Sequence, residues 1–289
     1  MAVSIAHLGP TGTYSEAAAL ACARSLHDLG EETLLCACPS IARAIETAAA
    51  DGAQLAVVPV ENSLEGTVTI TLDTLWQLDQ MQIQQAYVLP ISHALLSLAS
   101  NQSGIKTVYS HPQALAQCHG WLKNFLPEVQ LIPTNSTTEA LKYLDSDRQA
   151  GAIASRRAAE LYQIPILAYP INDHPDNCTR FWVLSLQPSP FFGPTEEDKS
   201  HTSIAFSVPA NVPGALVKPL QAFASRSINL SRIESRPSKR SLGDYVFFLD
   251  LEADAKAPST QAALAELTAY TEILKIFGSY NIQIFTNDR

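Results

Sequence analysis

The run VSIAHLGPTGTYSEAAALACARSL, Val3 to Leu26, decides the fold class. Its first six residues are apolar enough for a buried strand, Gly9-Pro10-Thr11-Gly12 is turn chemistry, and Thr13 to Leu26 reads as a helix. Thr13 and Glu16 have the spacing of a capping box. Working outward, the same unit recurs through the first 185 residues. LAVVPV ends in Glu61-Asn62-Ser63, with a helix from Thr67; VYS runs into His111-Pro112, with a helix from Pro112 to Phe125. VQLIPT ends in Asn135-Ser136 before a helix through Leu144, and GAIAS ends in Ser155 before a helix to Tyr162. Strands alternating with helices predict an α/β domain built on a mostly parallel sheet.

That prediction carries a functional one. In an open α/β sheet, strand C-termini and the following helix N-termini line one crevice. The crevice here collects Thr11, Ser15, Glu61, Asn62, Ser63, Ser110, His111, Ser136 and Thr137. Hydroxyls, amides and helix dipoles in one place suit a small, oxygen-rich anion. Taken singly, each of these residues also reads as the cap of its own helix.

From Leu186 to His201 the pattern breaks into prolines, a glycine and a charge cluster, which is linker composition. Beyond it come a strand (202–208), a helix (215–226), strands near 228–234 and 245–251, a helix (260–270) and a strand (274–280). The order β-α-β-β-α-β is that of a ferredoxin-like α+β unit.

Composition narrows the function. A formal net charge of −9 argues against a nucleic-acid partner, which needs a basic footprint. The N-terminal MAVSIAHLGP lacks the basic start and apolar core of a signal peptide, and no stretch reaches membrane-spanning length. The five cysteines are odd in number and irregularly spaced, which suits reduced thiols in a cytoplasmic protein. Cys36 and Cys38 are expected on one face of a short strand rather than on a metal. Gly9-x-x-Gly12 is no dinucleotide fingerprint and no G-K-[ST] follows, so no nucleotide, cofactor or metal is expected.

Asn177-Cys178-Thr179-Arg180-Phe181 places a hydroxyl, a fixed positive charge and an aromatic ring on consecutive residues leading into the strand WVLSL. With this motif the ensemble becomes specific. GPTGTYSEAA (Gly9 to Ala18), VPVENSLEGTV (Val58 to Val68), YSHPQALAQC (Tyr109 to Cys118) and NCTRF resemble, in order, the main motifs of the prephenate dehydratase family. The second half resembles that family's ACT domain, with GALV at Gly214 to Val217 and ESRP at Glu234 to Pro237. Two departures stand out: Ser227 precedes Ile228 where the family writes G-I-N-L, and NDHPDN (Asn172 to Asn177) stands where it often shows Q-D.

The resemblance implies a two-lobed, periplasmic-binding-protein-like (type II) dehydratase domain over 1–185, a linker over 186–201 and an ACT domain over 202–280. It implies a lyase that removes carbon dioxide and hydroxide from prephenate to give phenylpyruvate, on the route to phenylalanine. Thr179 is then the catalytic donor to the departing oxygen, Arg180 the partner of a substrate carboxylate and Phe181 an apolar wall, with His111 or Glu61 in a proton relay. Thr11, Ser15, Asn62, Ser63, Ser110 and Asn177 are the expected substrate contacts. Phenylalanine is the implied effector, held at a subunit interface near Gly214, Ala215, Leu216, Val217, Asn229, Glu234, Ser235, Arg236 and Pro237, in a homodimer or tetramer. Arogenate dehydration and a non-catalytic amino-acid sensor are the competing readings.

Overall fold

The computed structural model describes residues 2–192 and 201–286; most of the expected linker, 193–200, lies outside them. The first unit has two lobes. The sheet of the larger lobe runs, edge to edge, Ile282–Ile284, Gln82–Pro90, Cys178–Ser185, Leu55–Asn62, Val3–Leu8 and Thr33–Cys38. Val3–Leu8 pairs in parallel with both of its neighbours. The sheet is nevertheless mixed rather than mostly parallel, because Cys178–Ser185 runs antiparallel to the strands on either side of it. The reason is the route of the chain. It leaves the larger lobe after Pro90, builds the smaller lobe and returns along Cys178–Ser185, so the outgoing and returning strands lie side by side.

The smaller lobe is a five-stranded sheet ordered Ile166–Ala168, His93–Ser97, Ala150–Ser155, Thr107–Ser110, Gln130–Pro133. It leans on the first long helix, Tyr14–Asp28, and the turn before it: Ser155 Oγ donates to Gly12 O (2.9 Å), Arg157 pairs with Glu16 (3.2 Å), Tyr162 donates to Thr11 O (3.2 Å) and Tyr14 donates to Ser92 O (2.6 Å). Gly12 has φ +90°, and a Cβ there would stand 3.0 Å from Thr138 Cγ2, so the turn admits glycine both for its backbone and for the closeness of the lobes.

Several expected helices are shorter or broken. The segment 112–125 divides at Cys118 (φ −117°, ψ 11°) into Pro112–Gln117 and His119–Phe125. After Ser136 the chain forms a 3₁₀ turn, Glu139–Tyr143, instead of an α-helix. The helix placed from Thr67 starts at Thr69, because Gly66–Thr67 is drawn into a hairpin with Glu61–Asn62. Thr13 caps as expected, accepting from Glu16 N, although the Glu16 carboxylate reaches back to Gly12 N rather than to Thr13 N.

The C-terminal unit is ferredoxin-like: an antiparallel sheet ordered Leu230–Pro237, Tyr245–Leu251, His201–Ser207, Ile273–Tyr280, with helices Val217–Ala224 and Pro258–Thr268. Strand alternation divides its side chains between two faces. Ile204, Phe206, Leu249 and Leu251 pack under the helices with Phe223 and Leu264. Ala205, Val246, Phe248, Phe277 and Tyr280 join a cluster with Trp182, Leu72, Leu75 and Ile83 of the larger lobe. One core is thus shared by both units. The chain then crosses back beyond 280, where Ile282–Ile284 pairs in parallel with Ala86–Val88.

Candidate active site

A cleft of about 840 Å³ lies between the two lobes. The larger lobe contributes Thr13, Tyr14, Ser15, Asn62, Thr179 and Phe181; the smaller contributes His111, Gln113, Gln117, Ser136 and Thr137. Thr179 and Phe181 come from the returning strand, which alternation turns to the cleft at every second residue. Phe181 is 1% exposed and packs with Tyr14, Ala18 and Leu89 beneath the cleft. Among the described residues lining the cleft, Lys142 is the one lysine or arginine.

The Thr179 hydroxyl has its polarity set by its neighbours. Asn62 Oδ1 accepts from the backbone N–H groups of Leu64 (3.0 Å) and Glu65 (3.1 Å), so its amide nitrogen must face the other way. That nitrogen donates to Thr179 Oγ1 (2.9 Å) and Asn177 Oδ1 (2.9 Å). A hydroxyl that already accepts from Asn62 keeps its own proton to give, and the group lines the cleft. Asn177, 1% exposed, passes the order on: Oδ1 also accepts from Ser63 Oγ (3.2 Å), and Nδ2 donates to Gln117 Oε1 (3.0 Å).

The next residue along the strand faces the opposite way. Arg180 lies 3.2 Å from Asp250 of the C-terminal unit and 3.5 Å from Glu61, and neither Arg180 nor Glu61 lines the cleft. The expectation that Arg180 holds a substrate carboxylate is therefore corrected: alternation on the strand that presents Thr179 sends the guanidinium to the interdomain face. For the same reason Glu61, one residue before Asn62, is removed from any relay to Thr179. Ser110 is also off the cleft, fully buried and donating to Ile153 O (2.6 Å). Thr11 lies outside the lining, and Ser63 and Asn177 support the site from behind.

His111 lines the cleft and caps its helix, Nδ1 accepting from Gln113 N (3.3 Å). Burial holds its pKa below the usual value, with Glu65 opposing. Sequence reasoning passed over Tyr14, His93 and Gln117. Gln117 stands inside a quoted motif, but only the fold shows that it meets Asn177. Among the described residues no group of three or more His, Cys, Asp or Glu is placed to hold a metal ion.

In the ACT-like half, Gly214 sits at φ +81° on an exposed loop, with Val217 61% exposed. The ESRP segment meets the larger lobe: Glu234 accepts from Thr67 Oγ1 (2.9 Å) and Arg236 pairs with Asp73 (2.9 Å).

Two lobes around a cleft lined by hydrogen-bond donors, with a ferredoxin-like unit packed behind, define a two-lobed ligand-cleft protein joined to a ferredoxin-like module. The chain belongs to the prephenate dehydratase family: the prephenate dehydratase model matches residues 5–189 and the ACT domain model residues 202–269. It is 41% identical over 96% of its length to a bifunctional chorismate mutase/prephenate dehydratase of Aquifex aeolicus, covering 73% of that protein. It is 36% identical to a prephenate dehydratase of Lactococcus lactis subsp. cremoris, covering 97% of this chain and 98% of that one. Among solved structures, the prephenate dehydratase of Arthrobacter aurescens in complex with L-Phe superposes with a TM-score of 0.86 at 34% identity, covering 96% of this chain and 90% of that one. GqqA, described as a novel type of quorum quenching acylase, superposes at 0.81 and 29% identity, covering 97% and 98%.

Proposed function

We propose that the cleft converts prephenate to phenylpyruvate, carbon dioxide and water, and that phenylalanine acting on the ACT domain regulates it. The observation that carries the chemistry is the Thr179 hydroxyl, held by Asn62 with its proton free for the cleft. The C–C bond to the ring carboxylate breaks, its electron pair enters the ring, and the ring C–O bond breaks as the ring becomes aromatic. The departing oxygen takes a proton through Thr179 and leaves as water; one proton consumed from solvent balances the reaction. A threonine hydroxyl is too weak an acid to deliver that proton unaided, so its part is a transition-state hydrogen bond aimed at the developing charge.

The rest of the site positions the dianion. The N-terminus of helix Tyr14–Asp28, with Thr13 and Ser15 in the lining, suits one carboxylate. Gln117 and the 136–138 turn supply neutral donors, and Lys142 the positive charge. Phe181 beneath the cleft leaves the ring carboxylate poorly solvated, which favours its loss. Amide hydrolysis of the acylase kind finds no support at Thr179, because an oxygen that accepts from Asn62 is a weakened nucleophile.

The regulatory reading rests on the loop Gly214, Ala215, Leu216, Val217, together with Asn229 and the segment Glu234, Ser235, Arg236, Pro237. The exposed Val212 and Val217 suit a subunit interface and with it a homodimer or larger, while the irregularly spaced thiols suit the cytoplasm. We read 1–185 as the catalytic domain, 186–201 as the linker and 202–280 as the regulatory domain; His201 already opens the strand His201–Ser207, and Ile282–Ile284 pairs back onto the larger lobe. The test is to assay the protein on prephenate and arogenate side by side, with and without phenylalanine. Phenylpyruvate from prephenate, with a rate that responds to phenylalanine, is expected; turnover of arogenate alone would overturn the substrate assignment.

A further inference from the structure

We propose that His93 is a positioning residue: a neutral imidazole with its proton on Nε2, it locks the Gln117 amide so that the Gln117 NH₂ group faces the substrate. The chain of hydrogen bonds runs from a fixed end. The backbone N–H groups of Leu64 and Glu65 orient Asn62, and Asn62 orients Asn177, whose Nδ2 must then donate to Gln117 Oε1. An amide oxygen only accepts. The second group on that oxygen, His93 Nε2 at 2.9 Å, therefore carries a proton. With Gln117 Oε1 holding two donors, the nitrogen of a residue that lines the cleft is the atom left for a ligand.

The surroundings of His93 keep it in that state. It is 2% exposed, and burial lowers its pKa, with the Gln117 bond opposing. Tyr14 packs edge-on against the ring, at 81° between planes, and donates to Ser92 O (2.6 Å); the 3.4 Å from its oxygen to His93 Nδ1 is long beside the 2.9 Å from Nε2 to Gln117 Oε1, so the shorter contact takes the imidazole proton. Burial also raises the Tyr14 pKa strongly, so no tyrosinate arises to draw a second proton onto the imidazole. One tautomer, set from Leu64 and Glu65, thus decides which end of Gln117 meets the substrate.

The kinetic part of this inference rests on the dehydratase reading of the cleft; the spectroscopic part does not. In the full-length protein labelled with ¹⁵N-histidine, the His93 resonances, assigned by their loss in His93→Gln, should show a protonated Nε2 and an unprotonated Nδ1 at neutral pH. Kinetically, His93→Phe frees the amide to swing and should lower kcat/KM on prephenate about 10²-fold, the scale of a misplaced contact. His93→Gln, whose amide nitrogen reaches the same oxygen, should recover most of that loss. In a Gln117→Ala background, His93→Phe should cost little more, because the two act as one unit. An Nδ1–H tautomer or an imidazolium at neutral pH overturns the proposal, as do losses that multiply in the double variant. Should the wild type leave prephenate untouched, the dehydratase reading fails, and the tautomer alone decides the role of His93.

Discussion

The side-chain nitrogen of Asn62 sits 2.9 Å from Thr179 Oγ1, on paired positions of adjacent antiparallel strands. A donor faces an acceptor there, and the threonine proton is released toward the cleft. Replacing Asn62 by aspartate reverses the arrangement, since a carboxylate can only accept and draws the Thr179 proton to itself. Asn62→Asp is expected to lower kcat by roughly 10²–10³, the scale of losing one transition-state donor. Steady-state kinetics check this, and turnover within a few-fold of wild type would contradict the assigned polarity.

Asp250 is fully buried and accepts from Arg180 (3.2 Å), Arg232 (2.7 Å) and Ser203 (2.5 Å), joining the strand of Thr179 to the ACT sheet. Removing its charge leaves Arg232, itself 8% exposed, without the carboxylate it is hydrogen-bonded to. Asp250→Asn should therefore lower the unfolding free energy by about 3 kcal/mol. Urea titration measures it, and a change below about 0.5 kcal/mol would show that the pair contributes little.

The core shared by the two units bears on how the protein can be divided. A chain ending near Pro188 would expose Trp182, Leu72 and Ile83 and lose the strand Ile282–Ile284 from its sheet. Such a fragment is expected to aggregate rather than to persist as an unregulated enzyme; a soluble, cooperatively melting fragment would contradict the shared core. The regulatory loop is better tested in the intact chain. Gly214 holds φ +81°, which a branched residue resists. Gly214→Val should weaken the response of the initial rate to phenylalanine, within the fivefold to hundredfold range of ordinary allosteric coupling. An unchanged response would place the effector elsewhere.

Alternating strands and helices, the turn at Gly9–Gly12 and the ferredoxin-like order were legible because each rests on local pattern. The mixed sheet was not, since the direction of Cys178–Ser185 depends on where the chain re-enters the larger lobe. Thr179 and Asn62 stood out as motif residues, yet only pairing shows that they touch. Arg180 misled because a motif conveys neighbours along the chain, whereas strand alternation separates neighbours onto opposite faces. The departure at Ser227 did mark a special backbone: Ser227 adopts φ +54°, a conformation that the family's glycine reaches freely.

Burial lowers the pKa of both His93 and His111. Between the folded values and the unfolded value of about 6.5, the unfolded chain binds more protons, so stability rises with pH across that window. The contribution is complete above about pH 6.5 and is lost as the pH falls through the folded values. Thermal melts from pH 5 to pH 8 should show the wild type losing more stability on acidification than His93→Gln. Equal slopes would contradict the depressed histidine.

In the proposed reaction the Thr179 hydroxyl stabilises the departing oxygen. Comparing wild type with Thr179→Val, a nearly isosteric change that removes the hydroxyl, in phenylpyruvate formation from prephenate tests this role. A folded Thr179→Val protein should show kcat lowered by roughly 10²–10³ with KM changed far less, because the donor acts on the transition state. Near-wild-type kcat in that protein, or a rise in KM that accounts for the whole loss, would contradict the account.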